Sequence, residues 1–254
     1  MKVNSSVIQE EYILPSRGKV YSKKVNPIIK LGSMVTEHEM KRLAPSERPF
    51  KNLCEIIDDC LLEPIGISAY DLCMADYMYV LQKLRVVTYG KEYKVLSRCP
   101  YCSSESEINI DLDKLEVTPF DANNFAELSE FTLPKTEKRI KIIMQTPRIS
   151  DEITVRSKEM RRKTKGLAGD SAFLYTLQMI IENVDGDRLD AIQSEDFLRQ
   201  LPMLDTNYIV QHENKLVESF GVKNEVNCVC SFCGLDYTNS FRIGPDFFRP
   251  SIDI

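Results

Sequence analysis

An α+β fold, with two related, mainly helical lobes carrying short β-hairpins, is what this 254-residue sequence predicts. Three observations carry the prediction. Apolar residues recur at helical spacing in several separate stretches, and short Pro- or Gly-punctuated apolar runs between them read as strand pairs. Two C-x-x-C pairs, far apart in the chain, each close a similar series of elements.

The series opens with Glu11 to Tyr21, EYILPSRGKVY, followed by Pro27-Ile28-Ile29-Lys30-Leu31, which read as two short strands joined by a loop. Thr36-Glu37-His38-Glu39 fits a capping box, with Thr36 accepting from the Glu39 amide and the Glu39 carboxylate returning the bond. Leu53, Ile56, Ile57, Cys60 and Leu61 form one stripe of a helix over 50–62. Ser68 then opens a helix expected to run through Tyr77 and Leu84 to Tyr89-Gly90, where glycine suits a left-handed cap. The first cysteine pair follows: Cys99-Pro100-Tyr101-Cys102.

After Phe120 a second series begins. Phe131-Thr132-Leu133-Pro134 matches Tyr12-Ile13-Leu14-Pro15, and Ile140, Ile142 and Met144 alternate onto one strand face. Ser150 is expected to cap a helix through Val155, Phe173 to Ile181 reads as a buried helix, and Ser194 to Leu201 opens another. A further helical segment through Tyr208 and Leu216 ends at Phe220-Gly221, before Cys228-Val229-Cys230-Ser231-Phe232-Cys233-Gly234. Gly90 and Gly221, Cys99 and Cys230, Cys102 and Cys233, and Tyr77 and Tyr208 all share an offset of 131 residues. The pattern predicts an internal duplication, with one lobe over 1–120 ending in the first metal knuckle and the other over 121–254 ending in the second knuckle and an aromatic tail.

Composition narrows the function classes. A hydrophobic content of 43% suffices for an ordinary core. The longest apolar stretches are broken well short of the roughly 20 residues a bilayer crossing needs, so no membrane span is expected. The Met1 to Ser6 segment lacks the apolar stretch of a signal peptide, which places the chain in the reducing compartment where it is made. A formal charge of −5 gives no global attraction to nucleic acid or anionic lipid. With only His38 and His212, the usual general acid–base residue is scarce, and no Ser-His-Asp or paired-carboxylate set assembles. No catalytic residue and no small-molecule substrate are assigned.

Eight cysteines in a reducing compartment point to metal ligation or burial rather than to disulfides. Cys54, Cys60 and Cys73 stand singly among apolar residues and read as core filler. Cys99, Cys102, Cys230 and Cys233 form two knuckles able to meet one ion at about 2.3 Å, and zinc is its natural occupant. An all-sulfur tetrahedron leaves no position for water, so the site is structural. The gap between the pairs far exceeds the spacing of a compact zinc module. The ion would therefore clamp the two lobes, with metal binding contributing on the order of 10 kcal/mol to folding. A four-thiolate iron–sulfur cluster, a redox C-x-x-C and plain buried thiols are the alternatives. Cys228 stands opposite Ser97 at the same offset and is the odd one out.

Other motifs carry less. Arg156 to Lys165, RSKEMRRKTK, is basic enough to touch phosphates, and a zinc-dependent nucleic-acid-binding regulator is the alternative function it would support. A solvated helix or loop face is the favoured reading of the stretch, particularly with Gly166 and Gly169 following. Ser16-Arg17-Gly18-Lys19 ends like a P-loop but lacks the upstream Gly, and Val20 stands where Ser or Thr would hold magnesium. The segment from Phe241 to Pro250 is rich in aromatics and arginine, suited either to an interface or to packing back on the core.

The order of Leu14-Pro15-Ser16-Arg17-Gly18-Lys19-Val20-Tyr21, Leu84-Arg85-Val86-Val87-Thr88-Tyr89-Gly90, Tyr93 and Cys99-Pro100-Tyr101-Cys102 resembles the baseplate proteins of T-even-type contractile-tailed phages. The small hub subunit and the hub assembly factor are its nearest counterparts. The resemblance covers most of the first half and extends more sparsely to the closing CSFCG and DFFRP segments. It implies a non-enzymatic component or assembly factor of the central baseplate hub, with other hub and tail proteins as partners. Its implied location is the virion tail, or the host cytoplasm during tail assembly. Nucleic acid is not expected among the partners.

Overall fold

A computed structural model describes residues 11–165, 171–241 and 245–248. Strands Glu11–Ile13 (β1) and Ile28–Lys30 (β2) pair antiparallel with Tyr12 opposite Ile29, as the sequence predicts. Helix Thr36–Leu43 (α1) forms, but its cap residue is Val35, one earlier than expected, and with no acceptor on the valine side chain only the return half of a capping box is made. Val35 takes the cap position, and His38 Nδ1 accepts from the Val35 amide at 3.1 Å. Glu39 is instead drawn to the Arg42 guanidinium, with contacts at 2.8 and 2.6 Å. A two-point charge-assisted pair outweighs a single bond to an amide.

Helix Pro49–Cys60 (α2) buries Cys54, Ile56, Ile57 and Cys60 along one stripe. The single helix expected from Ser68 is broken in two. Ser68 Oγ accepts from the Tyr70 amide at 3.2 Å but caps only a 3₁₀ turn, Ala69–Asp71. Helix Met74–Tyr89 (α3) starts afresh after Leu72 and Cys73, both in extended conformation. The break drops Leu72 into the core. Tertiary partners replace the lost helical bonds: Cys73 N–H donates to Tyr21 Oη at 3.1 Å and Met74 N–H to the Gln145 carbonyl at 2.9 Å. Gly90, at φ +88°, caps α3 as expected.

Hairpin Glu92–Arg98 (β3) and Glu105–Asp111 (β4) carries the first knuckle at its turn. Strand Val117–Thr118 (β5) and helix Ala122–Ser129 (α4) lead to Glu130–Thr132 (β6) and Arg139–Ile142 (β7). Helix Pro147–Lys163 (α5) is capped four residues before the expected Ser150. Thr146 Oγ1 caps it, accepting from the Ile149 amide at 3.2 Å, while Ser150 donates back to the Thr146 carbonyl at 3.2 Å from inside the helix. Helix Ser171–Ile180 (α6) precedes Ile181–Val184 (β8), which joins β6 and β7 in a three-stranded sheet. Helix Ala191–Gln200 (α7) is capped by Asp190 in a capping box with Gln193. Helix Met203–Glu218 (α8), strand Gly221–Val222 (β9) and the hairpin Glu225–Val229 (β10) and Asp236–Ser240 (β11) follow, then a 3₁₀ turn, Pro245–Phe248.

Two hydrophobic clusters organise these elements. The first gathers Leu14, Ile29, Leu31, Ile57, Leu84 and Leu112 with Phe241, Phe247 and Phe248. The C-terminal aromatics therefore pack on the core. Arg242, Ile243, Gly244, Arg249 and Pro250 lie outside the described residues. Buried Arg85 holds this return, with Nε donating to the Phe247 carbonyl at 2.8 Å and Nη1 to the Gly90 carbonyl at 2.9 Å. The second cluster gathers Leu133, Ile140, Ile142, Leu177, Ile209 and Leu216, with Cys73 and Ala75 of α3 packed into it. Cys54, Cys60 and Cys73 are the buried filler the sequence suggests, and burial pushes the Cys60 thiol up to about 12.

Contacts recur between the two series. Leu14-Pro15 follows β1 and Leu133-Pro134 follows β6, and each loop is held by the third residue of a 16-residue helix. Asp76 of α3 accepts from the Ser16 amide at 2.9 Å and from the Ser16 hydroxyl. Asp205 of α8 accepts from the Lys135 and Thr136 amides at 2.8 and 2.9 Å. These helices match at an offset of 129 positions (76 to 205), pairing Tyr79, not Tyr77, with Tyr208. The expected offset of 131 holds only from Gly90 and Gly221 onward, so the two extra residues fall between α8 and β9.

Candidate metal centre

Each knuckle is built by the same turn. Cys99 N–H donates to the Ser104 carbonyl at 2.9 Å and Ser103 N–H to the Cys99 carbonyl at 3.0 Å. In the other hairpin Cys230 N–H donates to the Leu235 carbonyl at 3.0 Å and Gly234 N–H to the Cys230 carbonyl at 2.9 Å. The turn requires a left-handed residue, supplied by Ser103 at φ +60° and by Gly234 at φ +73°. Folding each turn places both thiols of a C-x-x-C pair on one side of its loop.

The hairpins then bring the pairs together. The Sγ atoms of Cys99, Cys102, Cys230 and Cys233 all lie within 4.8 Å of one another. Cys99 and Cys233 approach to 3.7 Å, and Cys102 and Cys230 to 3.6 Å. Four sulfurs tetrahedrally placed at 2.3 Å from one ion would be separated by about 3.8 Å. The donor set thus fits a metal ion that favours thiolate, such as zinc. Cys99 and Cys230 are buried, while Cys102 and Cys233 face solvent.

Neighbouring hydroxyls support the cluster. Ser104 Oγ lies 3.0 Å from Cys102 Sγ and 3.4 Å from Cys230 Sγ. Behind it, Ser97 Oγ contacts Tyr237 Oη at 2.8 Å and donates to Asn239 Oδ1 at 3.0 Å, joining the hairpins. The sequence singled out neither Ser104 nor Tyr237; the signal for Ser104 was its place just after a C-x-x-C pair.

The sulfurs do not hold protons equally. The Ser104 hydroxyl, with the Cys233 and Phe232 amides, brings Cys230 down to about 5. Ser104 likewise holds Cys102 below the usual thiol range. At Cys233 the Leu235 amide favours thiolate, but desolvation and the neighbouring thiols outweigh it and push the group up to about 12. Close thiols resist joint ionisation unless a cation joins them.

Cys228 stands apart from the foursome. It is half-buried, its Sγ 3.6 Å from the Val226 carbonyl, and it packs behind the cluster against Cys99, Cys230 and Tyr237.

The weaker motifs resolve as structure. The Ser16 to Lys19 loop is a turn in which Ser16 bonds Asp76, and a side chain at Gly18 would meet the Val25 carbonyl at 2.7 Å. His38 caps α1, and His212 stacks on Phe131 with ring centroids 3.9 Å apart. The basic residues Arg156 to Lys163 lie on α5, where Arg162 pairs with Glu47 at 3.4 Å. Gly166 and Gly169, which follow them, lie outside the described residues. Among the described residues, no helix is long and apolar enough to cross a membrane.

A family profile described as T4 bacteriophage base plate protein matches residues 8–249. No curated protein and no solved structure matches the chain.

Proposed function

Because the chain belongs to the T4 bacteriophage base plate protein family, we propose that it is a non-enzymatic structural or assembly protein of the central baseplate hub. One zinc ion, held by Cys99, Cys102, Cys230 and Cys233, clamps its two halves. The halves are two related lobes over 1–120 and 121–254, a division supported by the recurring aspartate-held loops, with Phe241, Phe247 and Phe248 crossing back onto the first cluster. Its partners are other hub and tail proteins, met in the virion tail or in the host cytoplasm while the tail assembles.

The observation that carries the clamp is the convergence of four thiols from hairpins 131 residues apart. When bound, the ion would supply a closed tetrahedral bond set, with no chemistry toward a substrate. The chain's own residues do the rest. Ser97, Tyr237 and Asn239 align the hairpins, and the knuckle turns fix the sulfurs. A fixed angle between lobes lowers the ordering cost of assembly for any partner that touches both.

Native mass spectrometry should find one zinc per chain, and a strong chelator should lower the melting temperature sharply. Protein purified without chelators and carrying no metal would refute the clamp. Absence of the chain both from purified tails and from tail-assembly intermediates would refute the baseplate role.

A further inference from the structure

The outward surface of the two knuckles has no assigned use. Tyr101 and Phe232 occupy matching positions, each one residue before an exposed thiol, and are 63% and 72% exposed. Leu96, Val229 and Leu235 on the same hairpins are exposed as well. Single exposed apolar residues are ordinary, but matched exposed aromatics on the turns of two hairpins that converge at one thiol cluster are the kind of feature that marks an interaction site. Charge points the same way. No charged residue falls within the matching knuckle turns, 99–104 and 230–235, although 28% of the chain is charged and Arg98, Glu105 and Asp236 flank them. Depletion of charge with retention of aromatics characterises the centre of a protein–protein contact.

We infer that the knuckle tips form a docking surface for an uncharged, apolar groove on a different tail protein, with Tyr101 and Phe232 as its anchors. Area favours a different protein over a second copy. An aromatic side chain covers about 150–250 Å² when fully buried, so two partly exposed ones supply a few hundred. A stable pair of chains needs about 800 Å² from each side. The tips alone would hold two copies poorly, but they suit the anchor of a contact that a larger partner extends. Membrane-surface anchoring usually adds several basic residues, and the two knuckle turns contain none, with Arg98 alone beside the first. A metal at the cluster would fix both anchors to one rigid base, which cuts the entropy cost of docking.

This inference rests on the baseplate reading above, and the test separates the two. A photo-crosslinking phenylalanine analogue is placed at 101, at 232 and, as a control, at Lys114, whose side chain is 83% exposed. The full chain is then irradiated during tail assembly in infected cells. Positions 101 and 232 should join the same second tail protein, through apolar residues of that protein, and position 114 should not. The Tyr101→Ser, Phe232→Ser double variant should keep parental zinc content and melting temperature, yet recover that partner about tenfold less or lower. Crosslinks to another copy of this chain would overturn the inference. So would binding to neutral phospholipid vesicles that the double variant loses, crosslinking no stronger than at 114, or parental partner recovery by the double variant. In each of these cases the parent chain is still found in tails; its absence there overturns the baseplate reading and the docking surface with it.

Discussion

Replacing Asp151 with alanine should loosen the joint between the two hydrophobic clusters without touching the cysteines. Asp151 sits on α5, fully buried, and accepts from the Phe50 and Lys51 amides at 3.3 and 2.9 Å and from Tyr70 Oη at 3.1 Å. The two amides belong to the first turn of α2, whose own cap residue, Arg48, makes no side-chain cap bond. A residue a hundred positions away thus does the work of an N-cap. Removing a cap costs about 1–2 kcal/mol. Leaving the buried Tyr70 hydroxyl without this acceptor adds about 1–3 kcal/mol, so the alanine variant should lose about 3–4 kcal/mol in all. At roughly 2–4 °C per kcal/mol for a chain of this size, the melting temperature should fall by about 10 °C. Asp151→Asn keeps one acceptor oxygen and should lose about half as much. Thermal unfolding by circular dichroism measures the loss, and amide exchange at Phe50 and Lys51 locates it. An alanine variant within about 0.5 kcal/mol of the parent, or unchanged exchange at those amides, would refute the cross-helix cap.

The cysteines should divide as the geometry divides them: Cys228→Ser should retain one zinc per chain by mass spectrometry, and Cys230→Ser should lose it. Ser104→Ala should keep the fold but weaken metal retention against a competing chelator by about 10–100-fold, as loss of a ligand's hydrogen-bond partner usually does. The paired aspartates should respond to pH with opposite sign. Desolvation raises Asp76 above the usual carboxylate range despite its bonds to Ser16 and Tyr21. Its folded state then binds more protons than the unfolded one, and stability falls as pH rises from about 4 through the raised value. Desolvation also acts on Asp205, but the Thr136 bond and the Lys135 and Thr136 amides outweigh it and hold the group low. That contribution is present above about pH 4 and is lost as pH falls through the lowered value. In urea titrations the penalty of Asp76→Asn should shrink as pH rises above about 4, whereas that of Asp205→Asn should shrink as pH falls below it.

Local patterns were legible where one residue's chemistry settles the matter. Helical stripes such as that of Ile56, Ile57 and Cys60 were readable from spacing, and Gly90 marked a helix end because few residues accept its positive φ. Pairing the knuckles needed only the repeat, since C-x-x-C spacing fixes the turn. What stayed hidden was decided by distant partners. Nothing near Leu72 and Cys73 announces a helix break, because the acceptors that make it affordable are Tyr21 and Gln145. The cap on α2 was invisible for the same reason, its carboxylate lying on α5. The repeat offset was misjudged through Tyr77, because tyrosine recurs at 77 and 79 and only the buried aspartate shows which one matches Tyr208.

The joint and the knuckles hold the chain together by different physics, the joint through α5 and the knuckles by tying two hairpins that both pack on the first cluster. At the joint, Asp151 caps α2, Arg48 meets Glu152 at 2.6 Å and Arg148 meets Asp71 at 2.5 Å. The last two pairs are largely exposed and contribute at most about 1 kcal/mol each, so the buried cap dominates. At the other connection four thiols need a cation to ionise together, and their stabilisation depends on metal and pH in a way the joint does not. Chelation should therefore release the hairpins while α2 stays seated on α5, and Asp151→Ala should do the reverse. Combining them should cost about the sum of the two, because the sites share no partner and α3 still packs Ala75 into the second cluster. Urea unfolding of the four states would show it: losses that add within about 0.5 kcal/mol support two independent ties, and chelation that abolishes the effect of Asp151→Ala would refute them.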